Sequence, residues 1–190
     1  MELRDLILKN RSCRRFMQKI QFERETLKQL VDLARLSASA GNLQPLKYIL
    51  SNAPPENSLI FPCLVWAAYL NDWPGPEEGE RPPAYIIILG DQNIRPSFDC
   101  DHGIAAQSIL LGAREMGLAG CIIGSIDREK LGQELKIPSH LEILLVIALG
   151  KPKENVVLEE VGPAGEIKYW RDAEGRHHVP KRALEEIIID

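Results

Sequence analysis

The chain has 190 residues, a formal net charge of -4 and 26% charged side chains. That length suffices for one substantial core and no break in composition demands a second, so residues 1–190 read as a single domain, and the mildly acidic balance excludes a general attraction to nucleic acid or to an acidic membrane. Cys13, Cys63, Cys100 and Cys121 form no C-x-x-C pair, which argues against a zinc or iron–sulfur site. No run approaches the roughly 18 apolar residues of a membrane span, and a cytoplasmic location is the resulting expectation.

In chain order, Leu3, Leu6 and Ile7 share one face of a short opening helix, and Leu27, Leu30, Val31 and Ala34 give a longer one over residues 25–37. After Pro45, "LKYIL" reads as a strand. Residues 54–83 are rich in Pro, Gly and Glu around "PCLVWAAYLNDW" and predict a mobile excursion with at most a short helix. "AYIIILG" is continuously apolar and β-branched, the pattern of a strand covered on both faces. The helix of "DHGIAAQSILLGAREM" carries Ile104, Ala105, Ser108, Leu111 and Gly112 on a face of small residues suited to close helix packing. "LAGCIIGS" predicts a strand, "DREKLGQEL" a helix capped by Asp127, and "LEILLVIALG" a long core strand. The tail predicts a hairpin around Ala173, Glu174 and Gly175, then a last helix behind Pro180. Without a regular βαβ repeat, these elements imply an α+β fold with a mixed, largely antiparallel sheet flanked by helices.

The chemistry concentrates in a few places. "NRSCRRF", residues 10–16, packs Arg11, Ser12, Arg14 and Arg15 together, and guanidinium forks with a hydroxyl suit a phosphate; a solvated basic surface is the plainer reading. Lys181 and Arg182 form a second basic pair at the start of the last helix, where helix geometry already favours an anion between the two clusters. "GLAGCIIGS" has the wrong spacing for a dinucleotide fingerprint and lies inside a strand pattern, so a Rossmann reading fails. There is no nucleophile elbow and no metal-ligand cluster. His177 and His178 are adjacent, so on a strand they face opposite ways, one packed and one exposed. "SASAGNLQP", residues 37–45, is a loop with hardly a side chain on it directly before a strand.

Taken in order, "NRSCRRF", "SASAGNLQP", "AYIIILGD", "HGIAAQSILLGAREMGLAGCIIGS" and "VPKRALEEII" resemble the nitroreductase family of FMN-dependent oxidoreductases along nearly the whole chain. The resemblance implies an intertwined homodimer, with the small-residue helix of residues 101–116 paired across its two-fold axis and two FMN molecules at its interface. It implies that Arg11, Ser12 and Arg14 hold the phosphate and pyrimidine edge, with Lys181 and Arg182 also on the phosphate. Ala38, Ser39, Ala40 and Gly41 would be small because the loop approaches the flavin held by the other subunit, and Asn42 and Gln44 match that loop's polar positions. Ile122, Ile123, Gly124 and Ser125 match the strand and turn lying against the ring. Arg14 is the candidate catalytic residue, stabilising negative charge on the reduced ring. The implied reaction passes a hydride from NADH or NADPH through flavin N5 to a nitroaromatic, quinone or similar electron-poor acceptor, with ping-pong kinetics. The alternatives are another acceptor on the same scaffold (dehalogenation, enoyl reduction, flavin modification) or a non-catalytic FMN-binding redox protein. Asn10 and Leu46 depart from positions where many relatives carry Arg and Trp, and residues 54–83, which the resemblance places as a variable excursion near the active site, match no family pattern.

Overall fold

A computed structural model describes residues 2–189. Four antiparallel strands form the main sheet: β1 (Leu46–Ser51), β2 (Ala84–Asp91), β3 (Ala119–Ile123) and β4 (Leu141–Gly150), in the order β1-β2-β4-β3. The continuously apolar runs are the two central strands, as a strand covered on both faces requires. Alternation in β2 divides the core. Tyr85, Ile87 and Leu89 face one layer with Phe16, Cys121 and Val146, while Ile86 and Ile88 face the other with Leu27, Leu30 and Ile109.

The second layer is built by α2 (Arg24–Arg35) and α4 (Asp101–Glu115), after the short opening helix α1 (Leu3–Lys9). Small residues let α2 and α4 approach closely: a Cβ on Gly112 would lie 2.2 Å from Leu33 Cδ1. Ala105 and Gly112 are therefore covered within the chain, which corrects their assignment to a face reserved for a second subunit. Gly117 ends α4 in the left-handed region (φ 74°), and Leu118 N–H reaches back to Ala113 O. On the opposite face sit α3 (Pro54–Ile60) and α5 (Arg128–Glu134), whose Asp127 cap accepts from Lys130 N–H at 3.1 Å.

Residues 54–83 are a packed wall. Ile60, Cys63, Leu64 and Trp66 enter the core, Arg81 lies 4.5 Å over the Phe61 ring, and Glu80 accepts from Arg15 Nε and Nη2 at 2.5 and 2.7 Å. The tail forms a separate sheet from β5 (Val156–Glu160), β6 (Trp170–Arg171) and β7 (His177–Lys181), with β7 parallel to β5 and antiparallel to β6. The hairpin lies where it was expected, but the last helix does not. Lys181 ends a strand, Arg182 follows it, and only a 3-10 turn forms over Leu184–Glu186. An isolated helix this short is marginal without a surface to bury its apolar side, and Leu184, Ile187, Ile188 and Ile189 are exposed here. Among the described residues, no helix is long and apolar enough to cross a membrane.

Candidate functional site

The segment of residues 10–17 runs beside β3, the edge strand of the main sheet. Cys13 N–H donates to Gly120 O, Arg14 N–H to Glu154 Oε2 at 2.8 Å, and Lys153 N–H to Arg15 O. Residue 120 must be small to allow this, since a Cβ there would lie 2.6 Å from Ala148 O. So clamped, the segment opens a cleft of about 320 Å³ that includes Asn10, Arg11, Ser12, Arg14, Gln107, Ile122, Tyr169, His177 and Lys181 in its walls. Arg11 and Arg14 from one basic cluster thus meet Lys181 from the other in one cleft, because β7 brings Lys181 back against the amino-terminal segment.

Arg14, Ile122 and Tyr169 also line an adjoining cleft of about 200 Å³. Its remaining walls are Cys121 and Ile123 of β3, Gly124 and Ser125 just after it, and Val65, Trp66, Ala67 and Ala68 from the wall segment, held there by Val65 N–H donating to Ser125 O. Ala67 takes a left-handed conformation (φ 41°), a strained position of the kind found at binding sites. No carboxylate lines this second cleft.

Arg14 is only 9% exposed. Its guanidinium donates from Nη1 to His177 Nε2 at 3.1 Å and lies 4.8 Å from the centre of the Tyr169 ring. Among the described residues no carboxylate pairs with it. Glu154, a buried acid, receives Arg14's backbone N–H and Arg171 Nη2 (2.7 Å). Burial holds the His177 imidazole well below its ordinary range, at about 4, helped by Arg14 and Arg171 against the opposing pull of Glu154. Across the strand, His178 faces two carboxylates, Glu159 and Asp172, each at 3.0 Å, and its hydrogen bond to Asp172 raises its pKa; it is half-buried, so the expected exposed partner of the pair is in fact tied down.

Two sequence candidates stand elsewhere, and a third is partly engaged. Arg15 is committed to Glu80, which it holds down at about 2, and so is a structural ion pair. Arg182 pairs with Glu186 at 3.3 Å outside both clefts. Arg11 lines the first cleft, but its guanidinium donates to Ile7 O and Asn10 O, closing the end of α1. Sequence reasoning assigned no role to Tyr169 or Glu154 and left His177 undecided; the adjacent histidines were the one visible signal.

The bare loop is not in these clefts. Ala38, Ser39 and Gln44 line a third cavity of about 150 Å³ beside Tyr48 and Asp101, while Ala40, Gly41 and Asn42 form a 3-10 turn at its rim. Ser39 Oγ donates to Asp101 Oδ2 at 2.7 Å and accepts from Gln44 N–H at 2.9 Å, and Ala40 N–H donates to Asp101 Oδ1 at 3.0 Å. Ser39 is therefore an anchor of the loop, not a spare small residue. Asp101, at the start of α4, organises it.

The model of the nitroreductase family matches residues 7–58 and 57–151. An oxygen-insensitive NADPH nitroreductase of Helicobacter pylori strain J99 is 25% identical over 181 residues, covering 78% of this chain and 86% of its own. Among solved structures, a nitroreductase family protein from Clostridium novyi NT superposes with a TM-score of 0.67 at 25% identity, covering 80% of this chain and 88% of that one. An FMN-dependent nitroreductase from Clostridium difficile R20291 reaches 0.68 at 21% identity over 97% and 96% of the two chains. The order of motifs, the sheet with its flanking helices and the family match over most of the length agree, and the chain belongs to the nitroreductase family.

Proposed function

We propose that the chain is an FMN-dependent oxidoreductase that draws on NADH or NADPH and reduces a nitroaromatic, quinone or similar electron-poor acceptor. The observation that carries this reading is Arg14, a buried guanidinium whose side-chain partners are a neutral ring nitrogen and an aromatic face. A cation buried without a counter-charge is costly unless an anion completes the site.

The residues fit the cofactor. Arg11, Ser12 and Lys181 line one cleft with donors, as a phosphate requires, and Arg14 joins that cleft to one walled by Ile122, Ile123, Gly124, Ser125 and the apolar segment at Val65–Ala68, which suits a flat ring. When bound, FMN would supply the redox chemistry, hydride transfer between the nicotinamide donor and the acceptor. Arg14 provides fixed positive charge at the cleft junction, and being held in advance it needs little reorganisation when negative charge develops. Trp66 and Tyr169 exclude water from the ring site. No side chain there is assigned as a proton donor; solvent serves.

The same reading makes the working unit a homodimer. Ala38, Ser39 and Gln44 line a different cavity from Arg11 and Arg14 of their own chain, and Ala40, Gly41 and Asn42 continue the same loop, so a site built from both takes the loop from a second copy. The exposed Leu184, Ile187, Ile188 and Ile189 give that copy an apolar surface to cover. The test is direct. The purified protein should take up about one FMN per chain and oxidise NADH or NADPH faster when menadione or a nitroaromatic is added. A preparation that stays colourless with excess FMN contradicts the reading.

A further inference from the structure

His177 is fully buried, and the mechanism above asks nothing of it. Its geometry is nevertheless restrictive. A guanidinium can only donate, so Nε2, 3.1 Å from Arg14 Nη1, must accept, and the ring must be the neutral tautomer with its proton on Nδ1. Nδ1 has no partner among the described residues, a cost that an apolar side chain of similar size would avoid. The neighbouring buried acid is already engaged: Glu154 takes Arg14's backbone N–H and Arg171, and leaves the Arg14 side chain to the imidazole. A carboxylate in place of the ring would hold Arg14 equally well but cancel its charge. A second cation would expel it.

We propose that His177 is a positioning residue, a neutral acceptor that fixes the Arg14 guanidinium at the junction of the two clefts while leaving its charge uncompensated for the anionic edge of the bound cofactor. The proposal rests on the FMN reading above. It places the control of cofactor electronics one residue away from the group that touches the cofactor, on the β7 strand that also delivers Lys181. Tyr169 completes the setting, with its ring 5.1 Å from that of His177 and under the Arg14 guanidinium.

The experiment compares His177→Gln with His177→Asn. Glutamine sets an acceptor where Nε2 stands, whereas asparagine sets it near Nδ1, about a bond short of Arg14. Circular dichroism and thermal melts establish that both fold, and the midpoint potential of bound FMN is read by dye-linked reduction. The glutamine variant should keep the wild-type potential, the asparagine variant should shift it to more negative values, and in an Arg14→Ala background neither substitution should move it further. An asparagine variant that binds FMN at the wild-type potential overturns the positioning role alone, as does a shift that persists without Arg14. A wild-type chain that binds no FMN removes the proposed function and this proposal together. Independently of any variant, nitrogen chemical shifts of the FMN-free protein at pH 7 should show His177 neutral and protonated on Nδ1; an imidazolium there refutes the argument.

Discussion

Asp101→Ala is the sharpest perturbation of the bare loop. The carboxylate is 2% exposed and accepts from Ser39 Oγ and Ala40 N–H, while Ser39 Oγ in turn accepts from Gln44 N–H. One side chain thereby ties both ends of a loop in which Gly41, Asn42 and Gln44 all have positive φ, at 59°, 54° and 52°. Asn42 and Gln44 are not glycine, so each stores about 1–2 kcal/mol of backbone strain. Against this, two hydrogen bonds to a carboxylate contribute roughly 1.5–3 kcal/mol each, less the cost of burying the charge. The opposing sums are close, and removing Asp101 should release the loop at a net loss of about 1–2 kcal/mol. For a chain of this size that is roughly 2–8 °C in Tm. Asp101→Asn should cost less, because an amide oxygen still serves Ala40 N–H. Urea melts give the stability, and quenching of flavin fluorescence gives the FMN affinity, which should fall about tenfold if the loop meets the cofactor of a second copy. Stability within about 0.5 kcal/mol of wild type in Asp101→Ala would refute the tie, and lost stability with unchanged FMN affinity would confine the loop to a local role.

Glu80→Gln should destabilise by about 1–3 kcal/mol, since Glu80 accepts from Arg15 and from Lys153 Nζ at 2.7 Å. Its carboxyl is held at about 2 chiefly by Arg15, so its contribution is present above the ordinary carboxylate value and lost as pH falls through about 2; acid unfolding of the variant should lack that limb. Between the histidines the signs oppose. His177 titrates near 4 when folded, so the unfolded chain binds the extra proton and stability falls as pH drops from about 6.5 to 4; His178 is raised by Asp172, so it stabilises below about 6.5 and that gain is lost as pH rises through its folded value. Tm should peak near pH 6.5, and His178→Gln should remove the alkaline decline but keep the acid one. Mixing Ala38→Trp subunits with Arg14→Ala subunits, each inactive alone, should restore about a quarter of the wild-type activity, because random reassortment makes about half of the dimers mixed and one of the two sites of each mixed dimer carries neither lesion; confirmed heterodimers without activity would count against a shared site.

The main sheet was legible because its strands are apolar without interruption, as in "AYIIILG" and "LEILLVIALG", and no helix amphipathicity competes with that pattern. Caps were legible too, since Asp127 acts on its own neighbours. What pairs at long range was not. Nothing in "NRSCRRF" says that Arg15 will find Glu80, sixty-five positions on, while Arg14 finds His177, one hundred and sixty-three positions on. β5 was missed because Val156–Glu160 is short, and the last helix was over-read because "RALEEIII" has helical periodicity but no surface in its own chain to bury it. The wall segment was misjudged from composition: its prolines and glycines pack, with Pro83 buried and Gly75 held against Trp66.

These outcomes suggest a rule for sorting a basic cluster, in which the identity of each arginine's partner decides its role better than proximity to a cleft. Arg15 meets Glu80, Arg171 meets Glu154 and Arg176 meets Asp172, so each has its charge answered within the chain. Arg11 meets backbone carbonyls at the end of α1, where a cation complements the helix dipole. Arg14 meets a ring nitrogen and an aromatic face, both uncharged, although it is among the most buried of the group. Burial makes an unanswered charge expensive, and folding alone would favour replacing such a group by an apolar one. The cost makes sense if an anion arrives later. In a chain of net charge -4, with carboxylates in excess, an arginine left without one is the strongest mark of the site that the structure carries.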